Sequence, residues 1–106
     1  MPWFPVRVRG DSMLPTLRDG DFLAVRSLRA GEPRPGQIVV AVRDGAEIVK
    51  RVGPAPEPLA PGTFWLEGDN KRASTDSRTG GPFDREHIAG IVRLRYWPPT
   101  GMRLLR

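Results

Sequence analysis

Proline and glycine interrupt this chain at short intervals, and no other feature of the sequence limits its fold as much. The 106 residues include 12 glycines and 12 prolines, which is too many for a helical bundle and favours short strands joined by many turns. A chain of this length buries one modest core. Residues 1–106 are therefore expected to form a single domain.

The hydrophobic pattern places short strands between these turns. Valine alternates with arginine in the stretch 4–10, which predicts a strand with one buried face. The β-branched run 36–43 predicts a strand buried on both faces, and the Asp-Gly pair at 44–45 predicts a hairpin into 46–53. The predicted fold is all-β, a small barrel or sandwich whose tail 98–106 packs loosely. Its other elements are strands at 21–28, 63–70 and 91–97 and helical turns within 12–17 and 82–90.

Composition and charge exclude several classes of function. The chain has no cysteine, hence no thiol nucleophile and no thiolate metal site. With a single histidine, His87, a metal site would have to be built mainly from carboxylates, which zinc and nickel do not favour. No metal and no cofactor are therefore expected. The net charge of +5 comes from arginines scattered along the chain rather than from a dense basic run, which argues against nucleic-acid binding.

The distribution of apolar residues bears on location. No apolar stretch approaches the roughly 20 residues that span a bilayer. The first residues also lack the apolar segment of a signal peptide. We therefore expect no transmembrane anchor in this chain and a soluble protein in the cytoplasm.

The stretch GDSMLPTL presents Ser12 as a nucleophile that needs a nearby base. His87 lies in a predicted exposed turn, where a surface role is the favoured interpretation. Lys50 is the other choice, because strand alternation places it on one face with Ile48 and Val52. Apolar neighbours penalise an ammonium and favour a neutral amine. The alternative, equally open at this point, is a lysine on an edge strand that reaches for water.

A third stretch, GDNKRASTDSR at 68–78, is polar and follows a predicted strand. It is rich in residues that form turns, so an ordinary surface loop is one interpretation. The same loop offers hydroxyl groups that can hold a lysine amine, together with aspartate and arginine side chains that can brace one another. The stretch becomes informative only in combination with the other two.

Taken in order, GDSMLPTL, EIVKRV and GDNKRASTDSR resemble the catalytic domain of type I signal peptidases, a family of Ser-Lys dyad proteases. The matching motifs run over 8–78, and the strand pattern extends the resemblance to about Tyr96. The resemblance implies a coiled, barrel-like all-β fold with short helical turns. It also implies an endopeptidase whose extended substrate pairs with the strands that end at Gly10 and Lys50.

The resemblance further assigns roles to individual side chains. Ser12 would attack the scissile carbonyl, Lys50 would take its proton, and Ser74 would orient the Lys50 amine. Asp76 and Arg78 would form an ion pair that shapes the supporting loop.

Other expected roles concern the oxyanion and the substrate. The Ser12 backbone N–H would donate to the oxyanion. Gly10 stands where many family members carry a serine that adds a second donor, so the oxyanion hole would rest on backbone donors and water. Asp69 would join the supporting ion pair. A shallow apolar pocket, for which ordinary core is an equal alternative, would be lined by Val8, Met13, Leu17 and Val49.

The absence of an anchor and the ending GIVRLRYWP narrow the resemblance to the short maturation proteases of bacterial nickel-type superoxide dismutase. This narrower resemblance implies that the partner is a protein substrate with an N-terminal leader or propeptide, and that nickel belongs to the substrate. Two alternatives remain open at this point. One is a self-cleaving domain of the repressor type, and the other is a non-catalytic peptide-binding module of the same fold.

Overall fold

The computed structural model describes residues 2–72, 76–99 and 103–105, and most of its regular structure is β-sheet. Helix is confined to α1 (Ser77–Gly80) and a 3₁₀ turn (Arg85–His87) in the part of the chain described. The strands are β1 (Trp3–Arg7), β2 (Phe22–Arg26), β3 (Ile38–Arg43), β4 (Ala46–Val52), β5 (Thr63–Phe64), β6 (Leu66–Glu67), β7 (Phe83–Asp84), β8 (Ile88–Trp97) and β9 (Arg103–Leu104).

One large antiparallel sheet positions the rest of the molecule. Its strand order is β1-β2-β8-β3-β4-β6, with β9 paired to β8, while β5 and β7 form a separate pair. The long strand β8 is bulged against both β2 and β3, and bulges increase the local twist. The sheet curls so far that β1 and β4, with three strands between them, line one cavity. The predicted all-β fold is confirmed.

The core lies on both faces of β3, as its apolar run predicts. Ile38 and Val40 pack into one buried cluster with Val6 and Leu23. Val39 and Ala41 alternate to the opposite face and pack into a second cluster with Phe83. The cores on the two faces hold β3 and β4 rigidly behind any site built on β4.

Several elements differ from the sequence prediction. The predicted strand 63–70 is divided at Trp65, because β6 pairs with β4 while β5 turns away to pair with β7. The short helix α1 had no periodic apolar signal and begins at the capping residue Asp76. The tail was expected to pack loosely, but its described part pairs with β8, and Leu105 is buried. Among the described residues, no helix has the length and apolarity needed to cross a bilayer.

Candidate active site

Ser12 and Lys50 are in direct contact. The Lys50 Nζ donates to the Ser12 Oγ at 2.7 Å, although the residues stand 38 positions apart. Lys50 lies on β4 with only 4% of its surface exposed. Ser12 is half-buried on the loop that joins β1 to β2. A hydroxyl and a buried amine at this distance can exchange a proton without moving.

The loop that carries Ser12 is held in place on both sides. Its two ends are joined by backbone hydrogen bonds from Val8 N–H to the Asp21 carbonyl and from Gly20 N–H to the Val8 carbonyl, both 2.8 Å long. Met13 and Leu17 are buried in the core, and the Leu17 N–H donates to the Met13 carbonyl at 2.9 Å. The loop is therefore a rigid support for the hydroxyl.

Gly10 contributes backbone shape to this loop. Its φ of +78° lies in the left-handed region that favours glycine. Its N–H donates to the Asp19 carboxylate at 2.7 Å and is thereby engaged within the loop. In contrast, the Ser12 N–H has no hydrogen-bond partner among the described residues.

The segment after β6 braces the Ser12 loop from the other side. The Asn70 N–H donates to the Ser12 carbonyl at 2.8 Å, and the Asn70 side-chain amide donates to the Asp11 carbonyl at 3.1 Å. The Asp69 carboxylate accepts from Thr16 Oγ1 and from two nitrogens of Arg51, at 2.9 and 2.8 Å. Burial opposes ionisation of Asp69, but the hydrogen bonds from Arg51 and Thr16 hold its pKa below the usual value.

This arrangement corrects the expected place of Asp69. The expectation was that Asp69 would join the ion pair of Asp76 and Arg78, but it binds Arg51 instead. Arg51 follows Lys50 on β4, so its side chain leaves the strand on the opposite face and meets Asp69 there. Neither motif on its own indicated this contact.

Asp76 and Arg78 do form an ion pair. The buried Asp76 carboxylate accepts from the Arg78 guanidinium at 3.0 and 2.8 Å, from the Arg78 N–H and from the Gly68 N–H. It therefore caps α1 and ties that helix to the end of β6. Ser74, expected to orient Lys50, lies outside the described residues.

Three effects act on the Lys50 amine. Burial is the largest and lowers the pKa of Lys50, because a desolvated ammonium is unfavourable. The Asp76 carboxylate opposes this effect, while the Arg78 guanidinium reinforces it, and the net result is a lowered pKa. A lowered pKa increases the neutral fraction of the amine, which is the form that can accept a proton from a hydroxyl.

A small cavity of about 60 Å³ opens beside Ser12 and Lys50. Val8, Met13 and Val49 line it and also belong to the buried core cluster, whereas Leu17 belongs to that cluster without lining the cavity. The lining residues that sequence reasoning missed are Val6, Arg7, Arg9, Glu47 and Ile48. Alternation could have added only Val6, which shares a face with Val8, and Glu47, which shares a face with Val49.

His87 belongs to a different part of the surface. It is exposed and lines a separate cavity with Arg43 and Phe83, one that includes neither Ser12 nor Lys50. Ligand atoms of His87, Asp84 and Glu86 lie within 4.8 Å of one another, and all three residues are exposed. Exposed groups of this kind are ordinary surface features. The interpretation of His87 as a surface residue thus agrees with its position.

Comparison with known proteins places the chain in a family. A family model described as Peptidase S24-like matches residues 2–93. The mitochondrial ATP-independent inner membrane protease subunit 1a of Arabidopsis thaliana is 37% identical, over 93% of this chain and 73% of that protein. The human mitochondrial inner membrane protease subunit 1 is 32% identical, over 95% and 74%. Signal peptidase IB of Staphylococcus aureus is 24% identical, over 89% and 78%. The chain therefore belongs to the Peptidase S24-like proteases and, among them, to the type I signal peptidase family.

Proposed function

We propose that this chain is a serine endopeptidase in which Ser12 is the nucleophile and Lys50 the general base. The observation that carries the proposal is the 2.7 Å contact between the buried Lys50 amine and the Ser12 hydroxyl. A serine hydroxyl is a weak nucleophile until a base removes its proton. Burial lowers the pKa of Lys50 and so makes the amine a competent base.

The reaction follows from this pair. The neutral amine accepts the Ser12 hydroxyl proton while Oγ bonds to the scissile carbonyl carbon. The resulting ammonium returns the proton to the leaving amine as the peptide C–N bond breaks. A water molecule then attacks the acyl carbon while the Lys50 amine takes its proton, and Lys50 returns that proton to Ser12 Oγ as the acyl C–O bond breaks. We assign the oxyanion donor to the Ser12 N–H, because it has no partner among the described residues.

The substrate lies extended between β1 and β4. Strand β6 pairs only with Arg51 and Val52, which leaves the part of β4 before Lys50 without a strand on that edge, as far as the described residues extend. An unpaired edge accepts an added peptide strand through backbone hydrogen bonds. The cavity beside Ser12, about 60 Å³, exceeds the roughly 10–15 Å³ that a cavity needs to hold one water. It therefore admits a small substrate side chain.

The substrate class is a protein with an N-terminal leader or propeptide. The name signal peptidase, carried by one relative, supports leader removal. The ending GIVRLRYWP supports the narrower assignment, maturation of a nickel-type superoxide dismutase precursor. The cytoplasmic location stays a prediction, since other relatives are named for the mitochondrial inner membrane.

The test is direct. The purified chain is incubated with a nickel-type superoxide dismutase precursor, and mass spectrometry is used to look for a new N-terminus. Cleavage by the wild type and none by Ser12→Ala is the expected result. A precursor that stays intact, while another leader-bearing protein is cut, would refute the narrower assignment alone. Equal cleavage by Ser12→Ala would refute the proposed mechanism.

A further inference from the structure

Arg43, the last residue of β3, holds the segment that follows α1. Its Nη2 donates to the carbonyls of Gly81 and Pro82, at 3.1 and 2.9 Å. Its guanidinium carbon also lies 3.4 Å from the centre of the Phe83 ring, a cation–π contact. Three consecutive residues after α1 are thus attached to one side chain of the central sheet.

This attachment matters because α1 does not pack tightly on the β3–β4 hairpin. A cavity of about 470 Å³ separates them, and Ile48, Asp76, Thr79 and Gly80 contribute to its walls. The start of α1 is tied to β6 through the Asp76 carboxylate and through Ser77 Oγ, which accepts from the Leu66 N–H at 2.9 Å. Arg43 fastens its other end.

Gly80 supplies an independent sign of this contact. A Cβ atom added to Gly80 would overlap the Arg43 guanidinium. The backbone of Gly80 is not in the left-handed region, so nothing in its conformation requires glycine. The absence of a side chain therefore allows Arg43 to approach the end of the helix.

We propose that Arg43 is a positioning residue for the Ser12–Lys50 pair, because it keeps α1, and with it Asp76 and Arg78, in place beside the Lys50 face of β4. The inference rests on the proposed function for its meaning in catalysis. The cavity runs along Ala46 and Ile48, which share the Lys50 face of β4. If the end of α1 moves away from Arg43, water gains access to Lys50 along that face.

The direction of the effect follows from the groups around Lys50. Burial lowers its pKa most, Asp76 raises it and Arg78 lowers it, with a net lowering. An opened α1 weakens all three effects together, so the pKa of Lys50 moves up toward its usual value. The charged groups on the other side of Lys50 line the Ser12 cavity and do not move when α1 opens. They are Arg7, Arg9 and Glu47.

The experiment titrates Lys50 by NMR in protein labelled with ¹³C-lysine. The chain has two lysines, so Lys71→Arg assigns the spectrum. Arg43→Met removes the contacts, and Gly80→Ala displaces the guanidinium while leaving every charge in place. Arg34→Met is the matched control, because its exposed side chain makes no hydrogen bond or ion pair among the residues described and the substitution also removes one positive charge. Arg43→Lys tests rescue.

We expect the Lys50 titration to move to higher pH in both Arg43→Met and Gly80→Ala, less in Arg43→Lys, and not in Arg34→Met. In a cleavage assay the alkaline limb of the pH–rate profile moves to higher pH together with this titration. The rate at a fixed pH below that limb falls on the order of 10-fold, which is a smaller fall than removal of a general base causes. A shift in Arg43→Met but not in Gly80→Ala would mean a long-range charge effect and would overturn the proposal. An unchanged Lys50 titration in both Arg43→Met and Gly80→Ala would also overturn the proposal. The NMR readout does not depend on cleavage, so a failed protease assay refutes the proposed function without deciding this one.

Discussion

Replacing Lys50 by methionine separates the chemical role of the amine from its cost to the fold. Methionine keeps an unbranched side chain of similar length in a site that is 4% exposed, but it cannot accept a proton. Removal of a general base slows a reaction by roughly 10²–10⁴-fold, or about 2.7–5.5 kcal/mol of transition-state stabilisation. We therefore expect Lys50→Met to cleave the precursor at least roughly 10²-fold more slowly than the wild type.

The same substitution is expected to stabilise the fold at neutral pH. Burial lowers the pKa of Lys50 in the folded state from the usual 10.5, so the unfolded chain binds this proton more readily than the folded one. Wild-type stability therefore rises with pH from the folded pKa up to the unfolded one, with a slope of at most about 1.4 kcal/mol per pH unit. Lys50→Met lacks this contribution, so its stability advantage narrows as the pH rises through that window.

The assay is urea denaturation of both proteins at pH 7 and pH 10, beside single-turnover cleavage. Lys71→Met is the control, because it removes an exposed lysine and is expected to leave cleavage unchanged. Lys50→Arg adds a second comparison, since a guanidinium stays protonated and cannot act as the base. Substantial cleavage by Lys50→Arg, or a stability difference from Lys50→Met that does not change with pH, would refute the reasoning.

Three further predictions concern the rest of the framework. Ser12→Ala should abolish cleavage and change the unfolding free energy by less than about 0.5 kcal/mol, and a larger loss in urea denaturation would contradict a purely chemical role. Asp69→Asn should weaken the pairing with Arg51 and lower kcat with little change in KM; unchanged kcat would show that this brace is dispensable. Glu32→Gln leaves the buried Arg26 without its carboxylate and should destabilise the fold by roughly 3 kcal/mol. The Arg26 hydrogen bond lowers the pKa of Glu32 from 4.5 to about 2. The ionised Glu32 therefore stabilises the wild-type fold above pH 4.5, and this stabilisation is lost as the pH falls toward 2. Glu32→Gln should not show this acid-dependent loss of stability.

The sequence alone determined the strands and the residue types of the site. Alternation and β-branched runs are local properties, so the positions of β2, β3 and β4 followed from them with shifts of one or two residues at the ends. The resemblance of three motifs to a protease family pointed to Ser12 and Lys50 before any contact was known. The order of these motifs along the chain can be recognised without knowing the fold.

Only the tertiary structure decided which side chains meet. Lys50 reaches Ser12 because the sheet curls until β1 and β4 line one cavity, and this curl depends on bulges in β8 that local patterns do not reveal. Asp69 meets Arg51, 18 positions away, rather than the later ion pair. Arg43 meets Gly81, the residue after α1, across 38 positions. Contacts over such separations depend on the packing of the whole core, and the periodicity of a single stretch carries no information about them.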